Sequence, residues 1–192
     1  MKMAKKFLAV ALAGVLALSV LTGCGASVKS KDVADSLTKM GVKTEQSKDV
    51  DKTAKNTLTA IEALINADAN KNAAAANKIT LENAVADAGK VIKTNGFQAA
   101  DTESKVKKAL EMDTNQANAA KQVRVALVKT EDATKDASLQ AAFVKEGLVT
   151  ASASTLPGSG KKFAETGKLG TATTKDGKYM LVVIVNDVVD AA

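Results

Sequence analysis

Tyr179-Met180-Leu181-Val182-Val183-Ile184-Val185 constrains the fold of this chain more than any other stretch. A strand with one wet face alternates apolar and polar residues, whereas this run is apolar on both faces. It therefore predicts a central strand, with helices covering both sides of its sheet. The preceding stretch from Leu169 to Thr174 predicts its hairpin partner, and Lys175-Asp176-Gly177 supplies the positive backbone angles of a tight turn. The expected fold class is α+β: an α–β–α sandwich around a central, mainly antiparallel sheet.

Upstream the period is mostly helical. Ser30 is placed to cap a helix from Lys31 to Met40, with Gly41 at the C′ position and Val33, Leu37 and Met40 on one face. Residues 42–47 are polar and read as a loop. Val50, Ala54, Leu58, Ile61 and Ile65 recur at helical spacing, with Leu64 widening the stripe, and predict a second helix ending near Asn66. Asp68 to Lys78 is rich in Asn and Ala and reads equally as a loop or as an extension of that helix. Thr80 predicts the cap of a third helix that turns Leu81, Val85, Ala88 and Ile92 inward and stops at Asn95-Gly96. A shorter helix from Thr102 to Glu111 uses Val106 and Leu110. Val123, Val125 and Leu127 alternate with Arg124 and Ala126, which predicts a strand. Asp136 predicts the cap of a helix that runs to Glu146, carries Leu139 and Phe143, and closes at Gly147. Residues 150–160 are loop around the sole proline, Pro157.

The N-terminus has the order of a secretory signal: basic Lys2, Lys5 and Lys6, then an apolar run from Phe7 to Leu21, then small residues. Leu21-Thr22-Gly23-Cys24 resembles the lipobox of bacterial lipoproteins. The resemblance implies that the only cysteine, Cys24, receives a diacylglycerol and that the signal is removed before it. Residues 1–23 are then a signal peptide, 24–30 a lipidated tether and 31–192 one globular domain. The apolar run is shorter than the ~20 residues a membrane span needs. Two or three acyl chains would anchor the domain stably to the membrane, where one would not. The expected location is extracytoplasmic: a Gram-positive surface, favoured by the lysine-rich, cysteine-poor character, or a periplasm-facing membrane in a two-membrane cell.

Removing three signal lysines lowers the formal charge of +6 to +3. Residues 156–186 hold five lysines against Glu165 and Asp176. Lys161, Lys162 and Lys168 there predict a weak, salt-sensitive attraction to anionic polymers. One arginine and few aromatics argue against nucleic acid as a partner.

The domain also resembles a diverged member of the CAP superfamily (cysteine-rich secretory proteins, antigen 5, pathogenesis-related proteins; the SCP domain), over about residues 50–186. Ala63-Leu64-Ile65-Asn66 is similar to that family's opening helix. Leu81 to Phe97, ending Asn95-Gly96-Phe97, is similar to its second helix. Leu156-Pro157-Gly158-Ser159 stands where the family has Ser-Pro-Gly-His, and Leu169-Gly170-Thr171-Ala172 with Asp176-Gly177-Lys178-Tyr179 resembles its closing hairpin. The family's pocket uses histidines and acids. This chain has no histidine, places Gln98 after Phe97 and has Ser159 at the second histidine position, so no pocket residue carries over.

Without histidine, a Ser-His-Asp triad, a Cys-His dyad and His-ligated zinc are excluded. No Ser-x-x-Lys start with supporting motifs is evident. Pro157-Gly158-Ser159-Gly160-Lys161-Lys162 fails as a phosphate loop, because Thr155 stands where its first glycine belongs, and Phe163 breaks a Gly-x-Gly-x-x-Gly pattern. Glu131, Asp132 and Asp136 do not have calcium-loop spacing. Asp136 reads as a helix cap and Asp176 as a turn residue, while Tyr179 and Phe163 read as core or pocket lining. The expectation is a non-enzymatic binding or scaffold domain with no cofactor or metal, partnered by an envelope protein. A carrier of a small apolar ligand in a CAP-like cleft is the alternative, and a hydrolase of unrecognised type the third.

Overall fold

The structure, a computed structural model, describes residues 28–86, 106, 108–111, 121–130, 136–150 and 160–191. The signal, the lipobox, Cys24, Ala88, Ile92, the Asn95 to Gln98 stretch, Glu131, Asp132 and the Pro157 loop lie outside these residues. The chain is mixed helix and sheet, built on an open mixed sheet whose main path has five strands.

Strand β6 (Tyr179–Asp190) is the centre of the sheet. It pairs antiparallel with β5 (Gly167–Thr173) on one side and with β2 (Lys121–Lys129) on the other. Strand β1 (Thr44–Gln46) lies parallel to β5, and the two-residue β3 (Val149–Thr150) antiparallel to β2, so the order is β1-β5-β6-β2-β3. Strand β4 (Lys161–Phe163) pairs with the far end of β6. The expected central strand is thus confirmed, and it runs five residues beyond Val185, where β2 pairs with Asn186 and Asp187 and β4 with Val188 to Asp190.

Both faces of β6 are covered. Leu181, Val183 and Val185 pack with Val123 and Val125 against α2 (Lys48–Asn66), α4 (Leu81–Ala86), Val106 and Leu110. Met180, Val182 and Ile184 pack with Ala126 and Val128 against α1 (Ser30–Lys39) and α5 (Ala137–Gly147). Alternation along one strand thus feeds two separate cores. Burying each large aliphatic side chain is worth about 1.5–3 kcal/mol, so the strand is held from both sides.

Caps set the helix ends. Gly41 (φ +89°) closes α1 through paired bonds: Gly41 N–H donates to Thr38 O and Val42 N–H to Leu37 O, both at 3.0 Å. Asp136 caps α5 by accepting from Ser138 N–H at 2.7 Å and Leu139 N–H at 3.2 Å. Thr80 and Asn83 cap α4 reciprocally, with Asn83 in the role usually taken by Glu. After α2, Ala67 turns extended (ψ 142°), and the stretch from Asp68 becomes a one-turn helix α3 (Asp68–Lys71) and a 3-10 turn (Ala75–Asn77). Buried Asn70 replaces the missing backbone partners: it donates to Ile65 O and Ile79 O and accepts from Ile79 N–H.

Three local expectations are corrected. Ser30 is the first helical residue rather than the cap of α1: extended Lys29 holds the cap position without a side-chain bond, while the Ser30 hydroxyl is engaged elsewhere. Residues 42–47 contain β1, whose three residues are too few to show a period and are held by pairing to β5. On α5 the inward face is Gln140, Ala141 and Val144, with Leu139 only partly buried and Phe143 39% exposed.

Helix α2 crosses β5 at Gly170, where a Cβ would collide with the backbone of Val50 and Asp51. Gly170→Ala is therefore expected to lower unfolding stability by about 3 kcal/mol or more, since backbone has to move. Gly147→Ala, which meets nothing within 4 Å, should be neutral or stabilising. Urea titration of the two variants checks the contrast.

Candidate functional site: a lysine-rimmed cleft at the α1–α2–β5 corner

Glycine at position 170 brings the first turn of α2 down onto β5, and this places the Asp51 carboxylate against the strand's outer edge. Its Oδ1 accepts from Thr171 N–H at 3.0 Å and from the Ser30 hydroxyl at 2.5 Å. Its Oδ2 accepts from Gln46 Nε2 at 2.6 Å. Ser30 Oγ also lies 2.8 Å from Thr171 Oγ1. Because the single Ser30 proton goes to Asp51, the threonine is the donor of that pair. One carboxylate thus joins α1, the end of β1, α2 and β5.

Two clefts open on this corner and share Asp51, Thr171 and Thr173. One, of about 430 Å³, is lined further by Lys52, Lys55, Thr59, Glu62 and Lys175. The other, of about 560 Å³, is lined by Val28, Lys29, Ser30, Lys31 and Gln46. Lys31 is paired with Asp35 at 2.6 Å. Lys29, Lys52, Lys55 and Lys175 are exposed and make no ion pair among the described residues. The site has a floor of hydroxyls, a hydrogen-bonded carboxylate and the apolar side chains of Leu58 and Ala172 beneath a cationic rim. The lysines of the rim can meet anionic groups, whereas the Ser30 hydroxyl already donates to a carboxylate that takes two further donors, so it is not prepared as a nucleophile.

The lysines predicted to meet anionic polymers are placed differently. Lys161 pairs with Asp190 at 2.5 Å and Lys168 with Asp187 at 2.6 Å, so their charges are met within the domain, while Lys162 is exposed on β4. Of the other residues singled out, Asp136 caps α5, and Asp176 serves the β5–β6 turn by accepting from the Thr174 hydroxyl and Lys178 N–H. Phe163 is half-buried on β4, and Tyr179 packs at the edge of the α2-side core with its hydroxyl donating to Glu82. Among the described residues, no group of three or more acidic, His or Cys side chains could hold a metal ion. Within them, no helix is long and apolar enough to cross a membrane.

A second polar feature lies on the opposite face. Arg124, the chain's single arginine, donates from Nη2 to Asn186 Oδ1 at 3.0 Å, while its Nε is buried without a partner. Asn186 is fixed in turn by donating to Ala164 O at 2.9 Å. Burial pulls the guanidinium pKa below its ordinary value.

The sequence signal for the Asp51 corner was Gly170, since a glycine inside a strand marks close backbone approach. Nothing local distinguished Asp51 from its neighbour Asp49. No family model matches the chain, and no curated protein or solved structure matches it.

Replacing Asp51 by Ala takes the acceptor from the part-buried Thr171 N–H and Ser30 hydroxyl as well as from exposed Gln46, so a loss of about 2 kcal/mol is expected, against about 1 kcal/mol for Ser30→Ala. In a double-mutant cycle the Ser30 cost should shrink once Asp51 is gone. Equal, additive losses would show that the two do not act together.

Four carboxyls titrate below their ordinary range. Glu82 is lowered mainly by the Tyr179 hydroxyl, Glu165 by Lys43, Asp176 by the Thr174 hydroxyl and Asp190 by Lys161. A folded-state pKa below the unfolded one contributes stability above the unfolded value and loses it as pH falls through the folded value. Stability should therefore be level near neutrality and decline below about pH 4. The decline should be shallow, because these groups are exposed and screened. Melting temperatures across pH 2–7 for the wild type and Glu82→Gln read this directly: the variant should show the smaller acid dependence.

Proposed function

We propose that the chain is a bacterial lipoprotein, anchored at the outer side of the cell membrane through Cys24, whose folded part is a non-enzymatic binding or scaffold domain. The observation that carries this is the sole cysteine, placed at the end of a basic-then-apolar signal in the sequence Leu21-Thr22-Gly23-Cys24. The beginning of α1 at Ser30, six residues after Cys24, supports a short tether. The second reading is a carrier of a small apolar ligand in a CAP-like cleft, and helices on both sides of the sheet together with the β5–β6 hairpin are its support. The cleft lined by Lys29, Ser30, Lys31, Gln46 and Asp51 is mainly polar and supports the first reading, while Leu58 and Ala172 give the other cleft an apolar part.

Intact mass of the protein from the membrane fraction tests the anchor. The expected species begins at Cys24 and carries a diacylglyceryl adduct that Cys24→Ala abolishes. A free thiol on a chain that still begins at Met1 would overturn the reading.

A further inference from the structure

Four exposed lysines without an ion pair among the described residues, Lys29, Lys52, Lys55 and Lys175, line the two adjoining clefts of one corner, and the described chain begins at that same corner. Lys52 and Lys55 lie one turn apart on α2, Lys175 stands on the β5–β6 turn, and Lys29 precedes α1. Against these four, the clefts present Asp51 and Glu62 as acids, so the lining keeps a net positive charge. Val28, which lines the second cleft, is four residues from Cys24. Four extended residues reach at most about 14 Å. A lipid on Cys24 would therefore hold this corner within about a Debye length or two of the bilayer surface, where attraction to anionic lipid is felt. Lys161 and Lys168 are already paired with Asp190 and Asp187.

We propose that the α1–α2–β5 corner is the membrane-facing surface of the domain, and that Lys29, Lys52, Lys55 and Lys175 receive the phosphates of anionic phospholipid heads. The orientation rests on the anchor reading above. Binding by the lysine face does not need the acyl chains, so the two fail separately.

The experiment uses the chain from Ser27 onward, which holds every described residue of both cores, with no lipid attached. Its sedimentation is measured with vesicles of 30:70 phosphatidylglycerol and phosphatidylcholine, and with phosphatidylcholine alone, at about 20 mM salt where screening is weak. Binding is expected only to the anionic vesicles and is expected to disappear at high salt. The triple substitution Lys52→Gln, Lys55→Gln, Lys175→Gln should weaken it by about 10- to 100-fold. Lys78→Gln, Lys108→Gln, Lys162→Gln removes the same charge from exposed sites elsewhere and should weaken it far less. Unchanged melting temperatures establish that both variants are folded. No binding to the anionic vesicles, or equal loss in the two triple variants, overturns the proposal. Tighter binding to a soluble poly(glycerol phosphate) than to vesicles would also overturn the assignment to lipid.

Discussion

Helix α2 sits directly on the backbone of β5 at Gly170, with no side chain between them, and Asp51 locks the contact by accepting from Thr171 N–H. Much of the molecule is positioned by this one approach. Holding α2 there aligns Ala54, Leu58 and Ile61 with the face of β6 that carries Leu181 and Val183. Ser47, which caps α2, donates its N–H to Leu169 O at 2.8 Å and so continues the β1–β5 pairing into the helix. Ser30 brings the start of α1 to the same carboxylate. The edge of β5 beyond β1 is thereby closed by a side chain instead of another strand, one of the ways an exposed edge is kept from pairing with other chains.

The opposite end of β6 follows a different rule. There Asn186 fills the space left by Gly167, bonds Ala164 O and receives Arg124. Polar groups in that position lie over the sheet, and they are tolerated because each amide group of Asn186 has a partner. Arg124 is less well provided for, with a buried Nε and no carboxylate bonded to it among the described residues.

The distribution of charge joins fold to function. Formal charge counts treat all lysines alike, yet Lys161 on β4 and Lys168 on β5 are paired with acids on β6, whereas Lys162, Lys52, Lys55 and Lys175 face solvent. The same formal charge is therefore met within the domain at some positions and left to solvent at others. The pairing of Lys161 follows from the antiparallel register of β4 with β6, which sets it opposite Asp190.

Local physics was sufficient for much of the architecture. The apolar run Tyr179–Val185 determined a two-sided central strand, because no exposed strand tolerates that pattern. The α2 stripe, the Asp136 cap, the Gly41 stop and the Gly177 turn (φ +72°) were equally legible, since each depends on residues close in sequence. Tertiary contact decided what those rules do not reach. Three residues became β1 because β5 lay alongside, and Phe143 turned outward because α5 approaches the sheet through alanine and valine. The candidate site belongs to that second group. Ser30, Asp51 and Thr171 are separated by 21 and 120 residues and are ordinary in their local settings. Only the crossing of α2 over Gly170 makes them neighbours.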